Sequence, residues 1–411
     1  MSDIKMFDGG VTSAKGFKAF GLRAGLKPGK TNKDMAMVYS EKPCTLAGTF
    51  TLNEVKAAPV KWDKKIVEEC GSAQAVVVNT ANANACTGTE GYNNAQKMAE
   101  LTGKLLGLPK ESVLVASTGV IGQQLNMDVI TEGIKAFEGK LSDSREAATL
   151  AAEAIMTTDT HKKETAVTFE IGGQTVTLGG MVKGSGMIHP NMGTMLCFLT
   201  TDADIDRALL QEALKANVDV TFNMVSVDGD TSTNDTVVVL ANGMSGAKKI
   251  TMKDADYNTF KEALYQVCLT LCKQVAGDGE GCTKLIESHI TGASDYENAK
   301  ILAKSIITSS LFKAAVYGKD ANWGRILCAM GYSGAKFDTE RVRVSFKSDA
   351  GEITVCDNGV ATDFDEEKAT AILSGDVVIV DVELTDGNGE ATAWGCDLTH
   401  EYVSINADYR S

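Results

Sequence analysis

Apolar positions along the chain switch between two periods. Residues 73–79 and 112–116 are short, almost unbroken runs of alanine, valine and leucine, and they predict buried strands. Residues 95–106 and 144–156 repeat small or apolar side chains at helical spacing, the second segment being rich in alanine. Across 165–178 the alternation has a period of two on both sides of Gly172-Gly173, which predicts a hairpin with a two-residue turn. Helical periods return over 206–217, 257–275 and 296–316, and strands over 341–346 and 376–384. Hairpins and helices fall in blocks. That order indicates an α/β protein of the α+β type, with layered helices and mixed or antiparallel sheets, and not a doubly wound dinucleotide-binding order.

The 411 residues suffice for two or three cores or one large α/β unit, and no low-complexity tract, proline-rich linker or repeat divides them. A net charge of −14 disfavours duplex nucleic acid or an anionic membrane as partner. It does not bar a small anionic substrate, because one local lysine outweighs a screened, distant field. The ten cysteines are scattered with no Cys-x-x-Cys pair, as expected of reduced thiols in a cytosolic protein. Cys268 and Cys272 share a helix face, and core packing is the preferred reading over zinc. His161, His189, His289 and His400 form no ligand pattern, so no metal is expected. Met1-Ser-Asp-Ile-Lys lacks an apolar signal core and no apolar run of about 18 residues follows, so a cytoplasmic location without a membrane span is expected.

Several glycine-bearing segments resemble nucleotide or metal loops and fail on inspection. Gly29-Lys30-Thr31 lacks the earlier glycine of a phosphate-binding loop, since position 24 is alanine. Gly184-Ser-Gly186 lacks the third glycine of a dinucleotide fingerprint and does not fit a serine elbow. Asp228-Gly-Asp230 begins like a calcium loop, but its glycine is misplaced and Val239 stands where a bidentate glutamate belongs. A hydrogen-bonded loop near an active site is the better reading. Asp320-Ala-Asn-Trp-Gly-Arg325 reads as a lock between two elements, with anion binding through Arg325 as the alternative.

The informative chemistry lies elsewhere. Lys183-Gly-Ser-Gly-Met-Ile-His-Pro-Asn-Met-Gly193-Thr194 runs from a glycine-rich turn into an apolar strand. A Gly-Thr bond on such a turn can be bent and approached by the threonine hydroxyl. Self-cleavage there yields an N-terminal threonine, which carries nucleophile and base in one residue. Ser117-Thr118-Gly119 follows a strand, where a hydroxyl and an unencumbered N–H can stand side by side as donors to an oxyanion, or form a plain turn. Asn79-Thr-Ala-Asn82-Ala-Asn84 reads as a buttressing polar loop, with direct substrate contact as the alternative. Glu280, between two glycines, is either a solvated turn acid or a partner for a substrate ammonium.

Taken together, these segments resemble the ornithine acetyltransferases, also called bifunctional glutamate N-acetyltransferases, of arginine biosynthesis. The resemblance runs from Gly9-Gly-Val-Thr-Ser-Ala-Lys-Gly-Phe17 through Asn53-Glu-Val-Lys-Ala-Ala-Pro59, Ser117-Thr-Gly-Val-Ile-Gly122 and Met156-Thr-Thr-Asp-Thr160. It continues through 183–203, 227–236 and 320–327 to Tyr402-Val-Ser-Ile-Asn406-Ala-Asp-Tyr-Arg-Ser411. It departs at Gly193, where the family usually has alanine, and at His189, where a small residue is common. His189 either lines the pocket or sits beside the cleavage turn.

The resemblance implies the self-processing, N-terminal-nucleophile-like DmpA/ornithine acetyltransferase fold. It implies cleavage between Gly193 and Thr194 into an alpha chain, 1–193, and a beta chain, 194–411, that form one intertwined unit and pair into an α2β2 assembly. It makes Thr194 the nucleophile and Thr118 and Gly119 the oxyanion hole, with Thr160, Lys183, Thr194, Glu280, Asn406 and Ser411 binding substrate. N2-acetylornithine would give its acetyl group to Thr194 and glutamate would take it. No cofactor is implied, and the use of acetyl-CoA as a second donor stays open. Lys183 suits the substrate carboxylate and Glu280 its ammonium. The rival readings are a self-cleaving aminopeptidase or hydrolase, with water as acceptor, and an uncleaved amino-acid binding protein.

Overall fold

The computed structural model describes residues 4–189 and 195–408. Gly193, Thr194 and Ser411 therefore lie outside the described residues.

In chain order the first strands are β1 (Lys5–Phe7), β2 (Phe17–Leu22), β3 (Met35–Phe50), β4 (Ser72–Asn79), β5 (Val113–Ser117), β6 (Lys163–Ile171), β7 (Gln174–Lys183) and β8 (Leu196–Thr201). They are followed by β9 (Val225–Ser226), β10 (Thr236–Ala241), β11 (Leu285–Ala293), β12 (Arg343–Ser348), β13 (Gly351–Asp357), β14 (Val360–Ala361), β15 (Val377–Glu383) and β16 (Gly389–Cys396). Nine form one mixed sheet in the order β1-β6-β7-β8-β10-β3-β4-β5, with β2 also paired to β3. The other seven form a second, in the order β14-β13-β12-β15-β11-β16-β9. Strands from both sides of position 194 build the first sheet. Parallel pairs (β4–β5, β8–β10, β11–β15 and β9–β16) sit among antiparallel ones, so the mixed-sheet expectation holds.

The helical layers explain the sequence patterns. Helix Ala255–Ala276 packs on β6 and β7 of the first sheet and on β16 and β9 of the second, so it lies between the sheets. Cys268 and Cys272 are fully buried on it. The alanine-rich helix Arg145–Ala154 packs on β2, and a Cβ at Gly21 would lie 1.8 Å from the Leu150 carbonyl oxygen. Small residues on both partners allow that approach. Ser144 caps this helix by accepting from the Ala147 N–H at 3.1 Å.

The β6–β7 hairpin turns at Gly172-Gly173, both with positive φ of 55° and 78°. One expectation is corrected. The helix read over 296–316 is two, Tyr296–Thr308 and Ser310–Tyr317. Ser309 leaves the helical region and caps the second, accepting from the Phe312 N–H at 3.3 Å. Arg325 donates to the Leu311 carbonyl at 2.6 Å, tying helix Trp323–Gly331 to Ser310–Tyr317, which is the locking role.

Four strand ends meet at one place. β5 ends at Ser117, β7 ends at Lys183, and Lys183 pairs with Leu196, which pairs in turn with Thr236. The second sheet feeds the same place from behind. Glu280 stands on the turn before β11, and Asn406 on helix His400–Asp408 after β16.

Candidate active site

An open cleft of about 620 Å³ lies where these strand ends meet. Thr118, Gly119, Lys183, Glu280 and Asn406, all singled out in the sequence, line it together. Met195 and Leu196 lie close to them: the Met195 carbonyl accepts from the Thr236 N–H at 2.9 Å, and Leu196 pairs with Lys183.

The segment after β5 is clamped to the asparagine run. Thr118 N–H donates to Asn79 O (3.1 Å), Val120 N–H to Ala81 O (2.9 Å) and Gly122 N–H to Ala85 O (2.9 Å). These bonds hold the segment so that Thr118 and Gly119 line the cleft. Gly119 has φ 129°, and a Cβ there would lie 2.2 Å from Ala81 O. No other residue fits this position. Ala81, Asn84 and Cys86 also carry positive φ, so backbone strain collects in the loop beside the site. Asn79 and Asn234 hold it. Asn79 Oδ1 accepts from Ser117 Oγ at 2.7 Å, while Asn234 Nδ2 donates to Ala83 O (2.6 Å) and Ser117 O (2.8 Å). The asparagine run thus buttresses the oxyanion candidates.

Lys183 Nζ donates to Thr118 Oγ1 at 3.3 Å. With one lone pair engaged by that donor, the threonine hydroxyl keeps its own hydrogen for another acceptor. Burial pushes the Lys183 ammonium below the usual lysine range, nearby Lys163 adds to this, and Asp159 opposes it. Asp159 itself is held below the usual carboxylate range. Burial alone would raise it, but Lys183 and Lys163 together outweigh burial.

Three side chains not singled out in the sequence sit beneath the cleft. Lys163, fully buried, places its ammonium 2.7 Å from Asp159 Oδ1 and against Asp278 Oδ2. Asp159 accepts from Gly184 N–H at 2.7 Å and from Thr157 N–H at 3.0 Å. Asp278 accepts from the Thr160 hydroxyl and from its N–H at 3.1 Å. The threonine segment therefore turns Thr157 and Thr158 to the cleft wall and leaves Thr160 exposed, tied to Asp278 and not lining the cleft. Asp159 and Lys163 are four residues apart, but Asp278 arrives from a distant turn.

Glu280 is 8% exposed, with Oε2 accepting from Asn406 Nδ2 at 2.7 Å. Its N–H donates to Ser185 O at 3.2 Å, and Ser185 Oγ donates to Asp278 O at 2.7 Å. A Cβ on Gly186 would come within 2.3 Å of the Glu280 carboxyl, so the Gly-Ser-Gly turn makes room for that carboxylate. Asp228 accepts from the N–H groups of Met187 and Ile188, at 2.5 and 2.9 Å, and the adjoining Ser232, Thr233 and Asn234 line the cleft. The 228–236 segment is a hydrogen-bonded wall of the site. His189 is not among the cleft-lining residues: its carbonyl accepts from Thr231 Oγ1 at 2.8 Å, its Nδ1 lies 3.1 Å from Ser226 Oγ, and burial pushes its pKa down to about 4.

The cleft thus holds a cation and a carboxylate at separate places, with the Thr118 hydroxyl beside the cation and Gly119 next to it in the lining. That constellation can grip a zwitterionic amino acid and stabilise an oxyanion on one of its acyl groups.

A family model described as the ArgJ family matches residues 18–411. The chain is 51% identical over 412 residues to arginine biosynthesis bifunctional protein ArgJ 1 of Clostridium acetobutylicum, covering 100% of both chains. It is 50% identical over 404 residues to arginine biosynthesis bifunctional protein ArgJ of Symbiobacterium thermophilum, covering 98% of this chain and 99% of that one. Among solved structures it is similar to an ornithine acetyltransferase of Mycobacterium tuberculosis complexed with ornithine, with 34% identity, 47% of this chain and 100% of that chain covered, and a TM-score of 0.43.

Proposed function

The chain belongs to the ArgJ family, and on that premise we propose that it transfers acetyl from N2-acetylornithine to glutamate in arginine biosynthesis, through an acetyl ester on Thr194. The observation that carries this reading is the gathering of Thr118, Gly119, Lys183, Glu280 and Asn406 around one cleft beside the strand that begins after Thr194.

The order of events follows from the groups present. The Thr194 hydroxyl attacks the Gly193 carbonyl, an ester replaces the amide, and water hydrolyses it. This leaves an alpha chain ending at Gly193 and a beta chain beginning at Thr194. The freed α-amine, a group that ordinarily titrates at about 7.7–8.0, takes the hydroxyl proton when Thr194 attacks the acetyl carbonyl of the donor. Thr118 Oγ1 and Gly119 N–H stabilise the oxyanion. Lys183 holds the substrate carboxylate, and Glu280, steadied by Asn406, holds the side-chain ammonium of the donor. Thr160 and Ser411 complete the binding set by resemblance to the family. Ornithine leaves, the amine of glutamate attacks the ester, and N-acetylglutamate departs, in ping-pong order. Nucleophile, base and oxyanion donors all come from the chain, so no cofactor takes part. The two chains stay associated as an α2β2 assembly in the cytoplasm.

Incubation with acetylornithine and glutamate tests this reading: ornithine and N-acetylglutamate should appear in equal amounts. Release of free acetate without N-acetylglutamate would assign a hydrolase instead. A parallel arm with acetyl-CoA and glutamate, without acetylornithine, decides whether acetyl-CoA is a second donor. A single uncut band on a denaturing gel, with ornithine binding but no turnover, would leave an amino-acid binding protein.

A further inference from the structure

The Lys163 ammonium is fully buried, yet it belongs to no part of the reaction described above. It sits between two carboxylates from distant parts of the chain, Asp159 at 2.7 Å and Asp278. The Asp159 carboxylate holds the Lys183 end of the cleft, while the Asp278 carboxylate holds Thr160 and its backbone leads to the Glu280 end. Asp159 receives the N–H groups of Gly184, next to Lys183, and of Thr157 on the cleft wall. Asp278 stands two positions before Glu280, and its carbonyl takes the Ser185 hydroxyl, whose own carbonyl takes the Glu280 N–H.

We propose that Lys163 is a positioning residue for substrate recognition: clamped between Asp159 and Asp278, it fixes the separation of the two charges, Lys183 and Glu280, that read the ends of the amino-acid substrate. The inference rests on the binding roles proposed above for those two residues. Without the ammonium, two carboxylates face each other in a buried space, and they must separate or take up a proton. Either change moves the Gly184–Gly186 turn against the Glu280 turn. Only the donor uses both ends, so the donor should suffer more than glutamate.

The test compares Lys163→Met, Asp278→Asn and the double variant with the unmodified full-length enzyme. Calorimetric binding of ornithine is measured alongside KM and kcat for each substrate and the thermal midpoint. Lys163→Met should raise the acetylornithine KM and weaken ornithine binding about tenfold or more, with kcat within roughly threefold and the glutamate KM moving less. Adding Asp278→Asn removes the uncompensated carboxylate and should restore much of the ornithine affinity. Additive losses, or wild-type ornithine affinity in a folded Lys163→Met enzyme, would overturn the proposal. If Lys163→Met does not fold, Asp278→Asn alone decides. It should lose ornithine affinity selectively, and unchanged affinity would overturn the clamp. Ornithine binding is read without any acetyl transfer, so absence of turnover in the unmodified enzyme would sink the proposed activity while the binding data still decide the role of Lys163.

Discussion

Replacing Glu280 by glutamine removes one charge and almost nothing else. The carboxylate is buried, accepts from Asn406 Nδ2 at 2.7 Å, and lies against the Gly186 backbone where no side chain would fit. A glutamine has the same shape, and its carbonyl oxygen can keep the Asn406 hydrogen bond. What disappears is the charge assistance to the ammonium of acetylornithine. A hydrogen bond to a charged group is worth roughly 1.5–3 kcal/mol, so at about 1.4 kcal/mol per decade kcat/KM for acetylornithine should fall about tenfold to 150-fold. Glutamate carries a carboxylate at its side-chain end and gains nothing from Glu280, so its attack on the acetyl ester should be unchanged. Pre-steady-state mixing separates the two steps, following acetylation by acetylornithine and then deacylation by glutamate. Chain cleavage needs no substrate and should proceed normally. Equal damage to both half-reactions, or to cleavage, would show that Glu280 supports the site's structure and does not read the substrate's charge.

Three further outcomes follow from the same geometry. Thr118→Ala should lower kcat by on the order of 10²–10³ with a small change in KM, and a raised KM with normal kcat would move Thr118 from oxyanion stabilisation to binding. Because burial and Lys163 push Lys183 down, kcat/KM for acetylornithine should fall on the alkaline side below the ordinary lysine value of about 10.4 as the carboxylate-binding charge is lost. A profile that stays flat up to that value would contradict the assignment. His189, pushed down to about 4 by burial and by Lys304, remains neutral in the folded protein at pH values where an unfolded histidine, with a pKa of about 6.5, is already protonated. The unfolded state binds the extra proton, so stability should drop as pH falls from about 6.5 towards 4. Thermal melts of His189→Asn should show a shallower drop in that window, and an unchanged slope would refute the argument.

Local chemistry made part of this molecule legible. The β6–β7 hairpin is written in Gly172-Gly173, which alone supply the positive φ its turn requires, and helix Arg145–Ala154 is written in its alanine face and its Ser144 cap. The break at Ser309 went unread because the apolar period continues across it, although the serine itself signals a cap. The 16-residue strand β3 went unread for another reason. Its middle, Glu41-Lys42-Pro43, is polar and irregular, because the strand passes from β2 and β4 on one stretch to β10 on the next. At the site, residues on glycine turns declared themselves: Thr118 before Gly119, and Glu280 between Gly279 and Gly281. Lys163, Asp159 and Asp278 did not. A buried lysine looks like any other in sequence, and its second partner is 115 residues away. Asn234 likewise carries no local sign that it reaches back to Ala83 and Ser117.

Everything proposed for the reaction turns on acetyl passing through Thr194. Intact mass spectrometry of the enzyme mixed with acetylornithine, in the absence of glutamate, tests that passage most directly. Two chains are expected, the second beginning at Thr194 and gaining the mass of one acetyl group. The label should sit on that first residue, be lost when glutamate is added, and be recovered as N-acetylglutamate. Thr194→Ala should remain one chain and acquire no acetyl group. An enzyme that transfers acetyl while its chain stays whole, or that carries the label on another residue, would contradict the Thr194 route.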